Sequence, residues 1–118
     1  MSIQHHLPEH RYSEAVIANG LIFASGQVPT NPEASAKEQV INVLEQIDAL
    51  LAGLGSDKTQ IVDALIFLSD LADYAALNEV WDAWVAPGKA PARATVQARL
   101  ANPSWKVEIK IVAAQKSA

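Results

Sequence analysis

Arg93 is the residue whose chemistry the sequence isolates most sharply. It follows Pro91-Ala92 and opens a run of alternating residues, next to apolar positions. A guanidinium stays charged at any ordinary pH, and its rigid fork suits two-point capture of a carboxylate. Glu108 lies on the polar side of a second alternating run, with Lys106 and Lys110 two residues to either side. A carboxylate held beside a bound water can act as general base or acid. The flanking lysines, if near in space, favour its ionised form. An Arg–Glu cross-strand pair, or simply solvated charges, would use the same residue types, and spacing alone leaves these readings open.

Other chemistries find less support. His5, His6 and His10 form the one histidine cluster, and Pro8 between them prevents a shared helix face, so no metal site is expected from this N-terminal arm. Ser25 as a nucleophile would need a base, and no histidine follows His10. Tyr74, Trp81 and Trp84 recur at helical spacing, which reads as a core stripe and not as a nucleic-acid stacking platform. No phosphate-cradling glycine loop, metal-binding helix motif or nucleophile elbow occurs. Cysteine is absent, which excludes disulfides, thiolate metal sites and a thiol nucleophile.

The elements that must position Arg93 and Glu108 follow from pattern. Of 118 residues, 50% are hydrophobic and 19% charged, consistent with one folded domain spanning 1–118. The 9 Lys+Arg against 13 Asp+Glu give a formal charge of −4, which disfavours a general polyanion surface, so no nucleic-acid partner is expected. The N-terminus has neither a basic nor an apolar signal region, and apolar runs fall well short of the ~18 residues a membrane span needs. A cytoplasmic protein with no membrane partner is the expectation. Strands are predicted over 13–18 and 21–28, joined by an Asn19-Gly20 turn. A helix follows over 35–53, with Val40, Leu44, Ile47, Leu51 and Leu54 as its apolar stripe. A strand over 61–68 precedes a second helix, which is capped by Asp70 or Asp73, buries Tyr74, Leu77, Val80, Trp81 and Trp84, and ends near Val85. Strands over 92–100 and 106–114 alternate cleanly, and a short N-terminal strand lies near Ile3. The order points to an α+β fold with two helices on one face of a mixed sheet. The far face is apolar in its inner strands and is expected to carry Arg93, Lys106, Glu108 and Lys110, the mixed character of an oligomer interface with a polar pocket in it.

These residues also carry a resemblance. Pro91-Ala92-Arg93-Ala94-Thr95-Val96, then Ala98-Arg99-Leu100, then Lys106-Val107-Glu108-Ile109 and Val112-Ala113-Ala114, resemble the C-terminal signature of the RidA/YjgF family. Tyr12-Ser13-Glu14-Ala15-Val16 is similar to the family's Tyr-Ser-Gln-Ala-Val, and Ser25-Gly26-Gln27-Val28-Pro29 to its Ser-Gly-Gln-Ile-Pro. Asp70-Leu71 through Asp73-Tyr74, with Asn78, resembles the segment opening the family's second helix. The stretch Trp81-Asp82-Ala83-Trp84-Val85 is most similar to the YoaB-like branch. The match covers about residues 12–114.

The resemblance implies a chorismate-mutase-like fold assembled as a homotrimer, with three sheets forming a central barrel, helices outside and sites between subunits. It implies hydrolysis of reactive enamines and imines, such as 2-aminoacrylate or 2-iminopropionate, to a 2-keto acid and ammonia without a cofactor. By the same resemblance Arg93 holds the substrate carboxylate and Glu108 orients or activates water. Thr95 stands where many members have Cys and contacts the ligand through its backbone, while Tyr12, Ser25 and Gly26 line the pocket. Two departures stand out: His10-Arg11 replaces the family's usual Gly-Pro before the tyrosine, and Lys110 replaces a common Glu. A trimer that binds small carboxylates without turnover would keep the Arg93 site and lose the water chemistry. A ribonuclease or translation-inhibitor role, a label some relatives carry, has neither a histidine pair nor a basic stripe behind it.

Overall fold

Asn19 and Gly20 close the first hairpin with φ values of 54° and 76°. Both are left-handed, as a two-residue type I′ turn demands. The hairpin joins β2 (Ser13–Ala18) to β3 (Leu21–Ala24) in the computed structural model, which describes residues 2–116. Met1, Ser117 and Ala118, part of the expected 1–118 span, lie outside the described residues. The remaining elements are β1 (Ile3–Pro8), α1 (Ala36–Gly53), β4 (Ile61–Leu68), α2 (Tyr74–Trp84), β5 (Ala92–Gln97) and β6 (Val107–Ala114). The strands form one six-stranded mixed sheet in the order β1-β2-β3-β6-β4-β5. Only β4 and β5 pair in parallel, because α2 crosses between them and returns the chain to the same end of the sheet.

Both helices cover one face of the sheet. Ala15, Ile17, Ile22, Ala64, Ile66, Ile109 and Ile111 from the strands meet Val40, Val43, Leu44, Ile47 and Leu51 of α1 and Leu77 and Trp81 of α2. Ser35 caps α1, its side chain accepting from the Glu38 amide. Asp70 caps a 3₁₀ turn over Leu71–Asp73, and α2 begins directly after it without a side-chain cap from Asp73. The opposite face is uncovered, with Phe23 41% exposed.

Several boundaries differ from the expectation. The N-terminal segment is a full strand, so His5 and His6 sit in the β1 ladder and not in an arm. β3 stops at Ala24 instead of running to 28, because Ser25 and Gly26 leave the ladder before Gln27 rejoins it opposite Ile109. β5 stops at Gln97 instead of 100. Tyr74 is 44% exposed and not part of the buried stripe.

Gln39 is a buried polar residue that fixes where β6 begins. Its Nε2 donates to the carbonyls of Pro32, Ala34 and Ser104, and its Oε1 accepts from the Lys106 amide at 2.8 Å. Lys106 is the residue before β6, so this bond helps set the position of Glu108. Gln39→Ala leaves that amide and three carbonyls short of a partner. A loss of about 2 kcal/mol is expected, read as a lower urea midpoint at unchanged slope.

Candidate functional site

Arg93 emerges from β5, the edge strand, on the side covered by helices. It pairs in register with Ala64, whose small side chain leaves room above it. Tyr74, Asn78 and Trp81 lie at i, i+4 and i+7 on α2 and so form one helix face directed at the guanidinium. Arg93 Nη2 donates to Asn78 Oδ1 at 2.9 Å and to the Tyr74 hydroxyl at 3.2 Å. The guanidinium carbon lies 5.3 Å from the Trp81 ring centroid and 5.8 Å from that of Tyr74, within cation–π range. Asn78, by hydrogen bonding, and the Arg93 charge hold the Tyr74 hydroxyl below its ordinary pKa. Thr95, two residues on, points to the same face, and its Oγ1 is buried without a hydrogen-bond partner among the described residues.

Glu108 projects from the middle of β6 on the uncovered face, in register with Phe67 of β4. Gly26 lies against it. A Cβ on Gly26 would fall 2.9 Å from Glu108 Cδ and closer still to Oε2, so only glycine admits the carboxylate there. Ser25 beside it donates from Oγ to the Ser13 carbonyl at 2.5 Å and from its amide to Glu14 O at 2.9 Å, which pins the break in the ladder. Ser25, Gly26 and Tyr12 line one cleft of about 400 Å³ with Glu14, Thr30 and Gln46. Glu9, as hydrogen-bond partner and as negative charge, raises the Tyr12 hydroxyl above its ordinary pKa. Lys110 commits its ammonium to the Ala24 carbonyl at 2.8 Å.

The structure thus gathers Tyr12, Ser25 and Gly26 at one cleft and sets Gly26 against Glu108, and it places Thr95 on the same face as Arg93, but it does not bring Arg93 and Glu108 together. Arg93 was expected on the same far face as Glu108. It is on the opposite one: β4 separates β5 from β6, and Arg93 aligns with the buried series Ala64 and Ile66 while Glu108 aligns with Phe67. A cross-strand Arg93–Glu108 pair is excluded by the same order. Among the described residues no three metal-ligating side chains converge, and no helix is long and apolar enough to cross a membrane.

The family model described as Endoribonuclease L-PSP matches residues 3–115. The RutC family protein YoaB of Escherichia coli K12 is 57% identical over 106 residues, covering 90% of this chain and 92% of its own. The chain belongs to the YjgF (RidA) family. A YjgF-family crystal structure from Neisseria meningitidis superposes with a TM-score of 0.96 at 58% identity, covering 100% of this chain and 98% of that one. A relative from Arabidopsis thaliana, named Reactive Intermediate Deaminase A, chloroplastic, is 34% identical over 108 residues, 86% of this chain and 57% of its own.

In this YjgF-family chain the cradle around Arg93 is what pattern reading missed. Asn78 enters only through resemblance, Trp81 is buried in the core as its period predicts, and Tyr74, predicted there too, is exposed. A signal was available: three polar or aromatic side chains at i, i+4 and i+7 face an arginine on the following strand. The Gly26 contact gives a direct test. Gly26→Ala drives Glu108 off its position while leaving the core untouched, and displacing a reacting group by about 1 Å can cost ~10²-fold. Imine turnover is expected to fall ~10–100-fold with the melting temperature nearly unchanged.

Proposed function

We propose that the protein hydrolyses reactive imino acids to 2-keto acids and ammonia as a cytoplasmic homotrimer of single-domain subunits, with each site built between two of them. The observation that carries the reading is the split just described. The Arg93 guanidinium lies at the β5 edge on the helix-covered side, and the Glu108 carboxylate, set against Gly26 of the Tyr12-Ser25-Gly26 cleft, projects from the uncovered face. Neither half does imine chemistry alone, and a neighbouring copy supplies the missing half to each. The uncovered face supports such an assembly, since Val16, Phe23, Leu65, Phe67 and Val112 form an apolar surface of the kind that marks interfaces. The name of the Arabidopsis relative supports the reaction class.

The chemistry then runs as follows. Arg93 holds the carboxylate of the substrate, so the adjacent C=N carbon is placed over Glu108. Glu108 takes a proton from a water whose oxygen bonds to that carbon, while the imine nitrogen gains a proton. The nitrogen of the resulting carbinolamine takes the proton held by Glu108, the C–N bond breaks to release ammonia, and the hydroxyl proton passes to the solvent that supplied the first nitrogen proton, leaving the keto acid. An enamine enters after its methylene carbon takes up a proton to give the imine. Because the imine carbon is already electrophilic, positioning of substrate and water supplies much of the acceleration.

The test is competition with a trap. An amino-acid oxidase generates imino acids in place, semicarbazide captures them, and the protein is added at increasing concentration. Trapped product should fall with added protein. Trapped product that stays constant across several side chains would replace the enzyme with a carboxylate-binding trimer.

A further inference from the structure

We propose that the Tyr74 hydroxyl is a second hydrogen-bond donor to the substrate carboxylate, completing a clamp that Arg93 does not close alone. The inference rests on the imino-acid reading above and goes beyond it by naming a ligand contact outside the arginine. A guanidinium offers a carboxylate two parallel N–H edges, Nε with Nη2 and Nη1 with Nη2. Both draw on Nη2. In this chain Nη2 is already engaged by Asn78 Oδ1 at 2.9 Å and the Tyr74 oxygen at 3.2 Å. Nη2 has two hydrogens and two protein acceptors, so the donors left for a ligand are Nη1 and Nε, each on a separate edge. Single-point capture is what Arg93 offers by itself.

Tyr74 stands where the second point is needed. Its oxygen accepts from Arg93, so its own proton remains to be donated beside the guanidinium. The residue is 44% exposed, so it is not sealed into the core beneath α2. The ring is held in place by the cation above it, and Trp81, 5% exposed, braces the guanidinium from the α2 side. A carboxylate bound there takes one N–H from the cationic Arg93 and one O–H from the neutral Tyr74 beside it. A hydrogen bond to an ionised acceptor is stronger than a neutral one. The lowered pKa of the hydroxyl agrees, because an oxygen polarised by Asn78 and Arg93 is a better donor.

The experiment is isothermal titration of 2-oxobutanoate, and of its neutral amide 2-oxobutanamide, into wild type, Tyr74→Phe and Arg93→Ala. Tyr74→Phe keeps the ring under the guanidinium and removes one oxygen. The expected result is a roughly tenfold higher Kd for the acid in Tyr74→Phe, with the amide unaffected. In turnover the same variant should raise KM about tenfold at unchanged kcat, as loss of uniform binding requires. A merely structural role would lower kcat and the melting temperature together, and that outcome overturns the inference. Wild-type affinity for the acid in Tyr74→Phe, with binding lost in Arg93→Ala, overturns the Tyr74 contact and leaves the arginine site standing. Equal affinity in all three proteins, or none in wild type, removes the carboxylate site itself and the inference with it.

Discussion

Arg93→Ala will abolish imino-acid hydrolysis and leave a folded protein. The side chain lies on an edge strand with its charge directed at α2, so few core contacts depend on it. What the variant loses in stability is two hydrogen bonds and the attraction to the Trp81 ring. Cation–π contacts contribute about 0.5–1 kcal/mol when exposed and ~2 when desolvated, and Trp81 is buried, so a fall of roughly 5–10 degrees in melting temperature is expected. The loss in function is far larger. The guanidinium is the positive group proposed to hold the carboxylate, and hydrogen bonds to charged groups contribute about 1.5–3 kcal/mol each. Losing the charge with its donors should reduce kcat/KM by roughly 10³-fold or more. Arg93→Lys retains the charge without the planar fork and should fall between the two. Wild-type turnover in Arg93→Ala, measured by the semicarbazide competition, would remove the arginine from the site.

The variant also probes the least legible part of the molecule. Local features were readable from sequence. Asn19-Gly20 announced its turn because both residues tolerate positive φ, and the 93/95/97 parity against 94/96 is reproduced by the β5 register. Parity says which residues share a face, but not which face meets the helices. That depends on the register across β4, where Arg93 pairs with Ala64 and Glu108 with Phe67, an odd separation that sends the two to opposite sides. The helical period likewise counted Tyr74 among core residues. At the first turn of α2, however, the space beneath the ring is occupied by an arginine and not by another apolar side chain, and Tyr74 remains 44% exposed. The Gly26–Glu108 fit is wholly non-local: the Ser-Gly-Gln run marks a break in a strand, and nothing near it in sequence names the glutamate that fills the break. The resemblance implied a site containing both residues, and the contact between them is given by the structure.

Glu108→Gln separates binding from chemistry. Glutamine has nearly the same shape, so it can occupy the gap against Gly26 and leave the β6 ladder as it is. It cannot take a proton from water. General acid–base groups typically contribute ~10²–10⁴-fold, and a loss of that size in kcat is expected. The carboxylate of the ligand is proposed to rest on Arg93, on the other half of the site, so the Kd for 2-oxobutanoate should stay within about twofold of wild type, a difference well under 1 kcal/mol. Arg93→Ala should give the complementary pattern, with binding lost. If the site is built from two copies, the two single variants mixed in one solution provide a stricter test. Reassembled trimers that combine an intact Arg93 from one chain with an intact Glu108 from its neighbour should regain part of the wild-type turnover, well above either parent. Regained activity requires the two residues to act across a subunit boundary, as their placement on opposite faces of one sheet demands. A mixture as inactive as its parents, under conditions where labelled subunits demonstrably exchange, would mean that the arginine and the glutamate do not serve a common site.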